Sequence, residues 1–105
     1  MRVELYNNHS QTLLGHIVAK LQHDHKPFIV IFEPSHISEP EKLYAEMKTI
    51  INMLPKKYTI IDPFMGSGET GVAAVELDRD FIGLEIDPVA FDNAEQRIFD
   101  AKYAL

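Results

Sequence analysis

The densest chemical signal in this chain is the segment Asp62-Pro63-Phe64-Met65-Gly66-Ser67-Gly68-Glu69-Thr70-Gly71. Gly66, Gly68 and Gly71 form a G-x-G-x-x-G pattern. Glycines at that spacing suit a ligand that touches the backbone, because they permit a tight turn, close approach and close helix packing. Glu85 stands about 20 residues beyond the glycine turn, where a carboxylate can accept hydrogen bonds from both ribose hydroxyls of an adenosine. Glu69 falls in the first turn of the helix expected after the glycines, where a dinucleotide would place its pyrophosphate. A phosphate there would meet a carboxylate. S-adenosylmethionine has no phosphate and carries a positive sulfonium and ammonium, so an acidic rim of Asp62, Glu69 and Glu85 favours it over a nicotinamide cofactor. The plainer alternative is a tight strand-to-helix turn followed by a solvated strand end.

The elements that must hold this segment can be read from apolar spacing. Val3 to Tyr6 is a short alternating strand, and Ser10 can cap a helix carrying Leu13, Leu14, Ile17, Val18 and Leu21. Phe28 to Phe32 is an unbroken apolar run, expected to be a central, buried strand with helices on both faces. A second helix follows, with Leu43, Met47, Ile50 and Leu54 on its apolar face. Tyr58 to Ile61 is a strand that runs into the glycines and a helix with Val72, Ala73, Ala74 and Leu77. Phe81 to Leu84 is the fourth strand. Asp87-Pro88 then opens a last helix whose apolar face is Phe91, Ala94, Ile98, Ala101 and Leu105. Strand and helix alternate, so the expected fold is α/β: a reduced, four-stranded, mostly parallel sheet with helices on both faces.

Length and composition narrow the function. The 105 residues, 46% hydrophobic, suit a single domain over 1–105 that folds without staples. With no cysteine, thiolate metal sites, disulfides and cysteine nucleophiles are excluded, and a cytoplasmic home is the simpler reading. The apolar runs are short and the start is interrupted by Glu4, Asn7 and Asn8, so the chain reads as soluble and unprocessed, without a membrane partner. A net charge of −6 opposes binding to a polyanion by this chain alone. His23 and His25 around Asp24 read as solvated, and no metal is expected.

The segments Asp62 to Gly71 and Asp80-Phe81-Ile82-Gly83-Leu84-Glu85-Ile86-Asp87 resemble DNA amino-methyltransferases, which methylate adenine N6 or cytosine N4. The resemblance is to the subgroup whose catalytic motif precedes the cofactor motif, and it is specific across residues 58 to 98. It implies a Rossmann-like S-adenosylmethionine-binding fold and a place in restriction-modification. It also implies that Asp62, Pro63, Phe64, Gly66, Ser67 and Gly68 line the methionine end, with Glu69 and Thr70 following. Glu85 would hold the ribose, with Ile86 beside the adenine and Asp87 next to it. Upstream, Pro40 and Lys42 resemble the family's helix opening over the methionine moiety.

The family's catalytic strand ends in Asp, Asn or Ser, then Pro-Pro and an aromatic; here it reads Glu33-Pro34-Ser35-His36. An exocyclic amine needs hydrogen-bond acceptors to free its lone pair, and an extruded base needs a stacking face. Glu33 and Pro34 could supply the acceptors and His36 the face, although Glu is a carbon longer and the second proline is replaced. The region that grips a target sequence in the family has no counterpart between Glu33 and Pro40, so no target-recognition domain is expected. Three readings remain. One is an S-adenosylmethionine-dependent DNA methyltransferase that engages DNA only with a partner chain or as a homodimer. Another is a non-catalytic module that docks on a methyltransferase and regulates or inhibits it. The third is an enzyme that degrades S-adenosylmethionine.

Overall fold

The computed structural model describes residues 1–32 and 40–104. Among them four strands and four helices alternate: β1 (Val3–Tyr6), α1 (Gln11–His23), β2 (Phe28–Val30), α2 (Pro40–Met53), β3 (Thr59–Asp62), α3 (Glu69–Glu76), β4 (Phe81–Leu84) and α4 (Pro88–Tyr103). The strands form one sheet in the order β1-β4-β3-β2. All pairings are parallel, with Tyr6 opposite Leu84, Asp62 opposite Gly83 and Val30 opposite Ile61. Every strand therefore ends on the same edge of the sheet. No helix among the described residues is long and apolar enough to cross a membrane.

The two central strands, β3 and β4, are buried along their whole length. Successive side chains point to opposite faces. Ile60 and Phe81 join a cluster with Leu43, Met47 and Ile51 of α2, Ala73, Ala74 and Val75 of α3, and Ala94 and Ile98 of α4. Ile61, Ile82 and Leu84 face the other way, toward Leu13, Leu14, Ile17, Val18 and Leu21 of α1. Helices thus cover both faces, as the apolar runs require.

β2 differs from its expected place. It is an edge strand, half-buried and paired with β3, instead of a central one. Phe28 and Val30 face the α1 cluster and Ile29 and Ile31 the larger one, so the two-sided apolarity is met by layers above and below. The Ile31 N–H donates to the Ile61 carbonyl at 2.8 Å, carrying the pairing one residue past β2.

The helix starts follow the sequence. Ser10 Oγ accepts from the N–H groups of Thr12 and Leu13 at 3.2 and 3.3 Å, and Asp87 Oδ1 accepts from Val89 N–H at 3.0 Å ahead of Pro88. In α2 the buried row is Leu43, Met47 and Ile51; Ile50, expected in it, is 44% exposed. The spacing of four along this row is the ridge that α2 lays against α3. Arg79 is buried and donates to the carbonyls of Leu54 (2.7 Å) and Pro55 (3.2 Å), fixing the end of α2 against the turn after α3.

Truncation should separate the two isoleucines in urea unfolding. Ile51→Ala is expected to cost about 2–5 kcal/mol, and Ile50→Ala about 0.5 kcal/mol or less. Gly15, with open space around its Cα, sits inside α1. Gly15→Ala should raise the midpoint by about 0.5–1 kcal/mol equivalent.

Candidate functional site

The parallel pairing of β3 and β4 brings Asp62 and Glu85 to the same sheet edge, and the glycine segment turns between them. Asp62 is fully buried, and its Oδ1 accepts from the Phe64 N–H at 3.0 Å, starting the turn. Pro63 is buried and Phe64 is exposed. The Met65 N–H donates to the Leu84 carbonyl at 3.0 Å, and its side chain lies over Gly83, where a Cβ would stand 2.4 Å from the Met65 sulfur. Gly66 (φ +55°) and Gly68 (φ +93°) take left-handed backbone conformations that other residues adopt only with strain. Gly71 serves packing instead: a Cβ there would meet Ile98 Cδ1 at 2.4 Å and Phe81 at 2.8 Å.

Glu85 is joined directly to the loop. Its Oε1 accepts from the Gly66 N–H at 2.8 Å and its Oε2 from the Asp87 N–H at 2.9 Å. From the end of β1, Asn7 Nδ2 donates to the carbonyls of Glu85 (2.8 Å) and Ile86 (3.2 Å). Ile86 is exposed beside this carboxylate. The Phe64 ring has the His9 ring at 4.2 Å and the Phe32 ring at 6.1 Å, centroid to centroid. A row of rings therefore borders the loop, and Phe32 is the last described residue before Glu33.

Glu69 does not stand in an open acidic rim as expected. It is 4% exposed, Ser67 Oγ donates to its Oε2 at 2.8 Å, and Arg97 Nη1 of α4 donates to its Oε1 at 2.6 Å. Burial by itself would push this carboxyl up. The hydrogen bonds from Arg97, Ser67 and its own backbone N–H, together with the Arg97 charge, outweigh burial and hold it below the ordinary value. Its charge is answered inside the protein and Asp62 is fully buried beneath the turn, so of the three expected rim carboxylates Glu85 alone is partly exposed. The start of α3, where a helix commonly seats a phosphate, is occupied by the Glu69 carboxylate.

Thr70 is fully buried, and Asp87 caps α4. Pro40 is the first residue of α2, and Lys42 is exposed two residues later. Glu33, Pro34 and His36 lie outside the described residues. Sequence reasoning did not single out Asn7, His9 or Arg97. The placement of Asn7 follows from register, because the residue after Tyr6 must adjoin the residue after Leu84. Arg97 could have been found from its position between Ala94 and Ile98 on the apolar stripe of α4.

Residues 10–96 match the family model for DNA methylases. The type II methyltransferase M.HinfI of Haemophilus influenzae is 36% identical over 64 residues, which is 61% of this chain and 17% of that protein. M2.MboI of Moraxella bovis is 50% identical over 38 residues, 36% of this chain and 14% of that protein. The crystal structure of the M1.HpyAVI–SAM complex superposes with a TM-score of 0.51 at 41% identity, over 61% of this chain and 33% of the other. A second M1.HpyAVI structure gives 0.52 at 37% identity, over 64% and 40%. The chain spans about a sixth of the length of the curated relatives it matches.

The lowered Glu69 pKa has a definite sign in stability. A carboxyl held below its unfolded value contributes stability above about pH 4.3, and that contribution is lost as pH falls through the lowered folded value. Urea midpoints taken between neutral pH and about pH 3 should therefore fall more steeply for the wild type than for Glu69→Gln. Parallel curves would show that the Arg97 pair contributes nothing.

Proposed function

The chain belongs to the DNA methylase family, and from that membership we propose that it binds S-adenosylmethionine at the Asp62–Gly71 loop for methyl transfer to an amino group of a DNA base. The observation that carries the reading is the 2.8 Å bond between the Gly66 N–H and Glu85. It makes the glycine loop and the ribose-binding carboxylate parts of one site. The donor set fits the cofactor: Glu85 supplies acceptors and negative charge for a cationic ligand, buried Asp62 adds charge beneath the turn it starts, Ile86 offers an exposed apolar side chain for the adenine, and Phe64 a ring beside the methionine end. Pro63, Ser67, Gly68 and Thr70 shape the loop, and Pro40 and Lys42 stand in the opening turn of α2, which the family resemblance would set over the methionine moiety. Glu69 and Asp87 act on this site through hydrogen bonds to the protein itself.

When bound, S-adenosylmethionine supplies an electrophilic methyl group and departs as the neutral thioether. Glu33, one residue past Phe32, would accept a hydrogen bond from the target amine and draw off its proton. Pro34 would add a carbonyl acceptor and His36 a stacking face. The Phe32 ring, the neighbour of Glu33 in the chain, lies 6.1 Å from the Phe64 ring of the loop, which supports this reading. With a net charge of −6, this chain depends on a homodimer or a methyltransferase-related partner for its grip on DNA.

Calorimetry tests the first half. Wild type should bind S-adenosylmethionine, and Glu85→Gln should weaken it by about 10–100-fold, as loss of a charge-assisted hydrogen bond implies. No binding at millimolar cofactor would overturn the reading. Transfer of labelled methyl groups to DNA tests the second half, with and without a partner methyltransferase. Glu33→Gln should abolish transfer while leaving cofactor affinity within about twofold. A wild type that binds the cofactor and never transfers would instead favour the regulatory module, in line with the altered Glu33-Pro34-Ser35-His36 segment.

A further inference from the structure

The geometry points to Arg97 as the positioning residue of the cofactor loop, holding the Ser67–Glu69 backbone in its ligand-ready conformation from α4. This rests on the proposed S-adenosylmethionine reading and extends it to a residue outside both the loop and the acid strand.

The loop needs such a restraint. Gly66 and Gly68 sit at positive φ, and glycine populates positive and negative φ about equally, so neither holds the turn by itself. Two bonds fix its first half: Gly66 N–H to Glu85, and Gly68 N–H to the Met65 carbonyl at 2.9 Å. The second half is held from α4. Arg97 Nη1 donates to the Ser67 carbonyl at 2.8 Å and to Glu69 Oε1 at 2.6 Å, while Ser67 Oγ donates to the other oxygen of the same carboxylate. One guanidinium nitrogen therefore fixes the peptide between Ser67 and Gly68 and the side chain that opens α3.

The remainder of α4 fits the same task. Ala94 lies under Gly68, where a Cβ would meet it at 3.0 Å, and Ile98 lies under Gly71. With Arg97 these residues make one stripe at spacings of three and four, which share a helix face. Ala94 and Ile98 set how near α4 comes to the loop, and Arg97 sets how the loop is turned. Arg97 is 45% exposed and Glu69 only 6% by side chain, so removing the arginine leaves a buried carboxylate without its cation.

Both contacts come from a single nitrogen, so a lysine ammonium with three donors can replace them where a methionine cannot. The expected outcome is that Arg97→Met weakens S-adenosylmethionine binding by at least about tenfold and Arg97→Lys restores most of it. With the arginine gone, burial of Glu69 is opposed only by Ser67 and a backbone N–H, so its carboxyl rises. The pH dependence of affinity in Arg97→Met should then differ from that of the wild type, in which Arg97 keeps Glu69 ionised. A loss of general stability would not produce that profile. Glu69→Gln/Arg97→Met removes the orphaned charge and keeps the variant folded, yet should still bind weakly, because the Ser67 carbonyl has lost its donor.

Hydrogen exchange reads the loop without the cofactor. The Gly66 and Gly68 amides should exchange at least about tenfold faster in both methionine variants, with β3 and β4 amides unchanged. Unchanged loop exchange, or wild-type affinity and pH profile in folded Arg97→Met, would overturn the role of Arg97. A wild type that fails to bind cofactor, but whose loop exchange responds as expected, would overturn the cofactor reading alone.

Discussion

The close approach of α4 to the strand-to-helix turn is the constraint on which the remainder of the structure depends. Gly71 lies on Ile98 and Phe81 and Gly83 on Met65 at distances where an added Cβ would collide, and Gly68 lies on Ala94 closely enough that a Cβ would press it aside. These contacts bring α3, α4 and β4 together at the end of the sheet where β3 delivers Asp62. A side chain at Gly71 or Gly83 would have to displace Ile98, Phe81 or Met65, which pack against the turn. The same contacts build the core of the larger face, since Ile98, Phe81 and Met65 are all fully buried. Site and core are therefore one packing problem here, as is common where a ligand loop opens directly into a helix.

Much of this was legible in the sequence, for identifiable reasons. Phe81 to Leu84 and Val3 to Tyr6 were read with correct bounds because Asp80 and Glu85, or Arg2 and Asn7, bracket short apolar segments. Ser10 and Asp87 declared their helices because a capping oxygen acts within three residues, a distance that sequence reports directly. The place of β2 was not legible. Apolarity on both sides of Phe28 to Phe32 reports layers above and below a strand, and says nothing about neighbours in the plane of the sheet. Ile50 and Ile51 were confused for a similar reason, since spacings of three and of four both lie on one helical face. Only the ridge that α2 presents to α3 selects between them.

The site shows the same division. The glycines and Glu85 were readable because their work is local or lies at a fixed distance along one strand-helix-strand unit. Asn7 reaches the Glu85 and Ile86 carbonyls, and Arg97 the loop, from elements about 80 and 30 residues away in the chain; a helical stripe marks Arg97 as inward-facing but does not name what it meets. Glu69 was readable as a carboxylate at a helix start but not as a neutralised one, because its partner is set by the crossing of α3 and α4. A charge read from sequence is a formal charge. Whether it acts outward or inward is decided by what packs beside it.

That distinction governs the electrostatics of the ligand site. Three carboxylates, Asp62, Glu69 and Glu85, fall within or next to one loop, and three uncompensated negative charges would repel one another in a partly buried setting. Arg97 compensates one of them through an ion pair in which the carboxylate is buried and the guanidinium is half-exposed, its hydrogen bonds offsetting the desolvation of Glu69. The backbone N–H groups of Gly66 and Asp87 spread part of the charge of Glu85 without cancelling it. What remains outward is the partly spread charge of Glu85, which suits a cation better than an anion. The start of α3, elsewhere a seat for phosphate, is occupied by the Glu69 carboxylate, so the same ion pair that neutralises this charge also ties the helix start to α4.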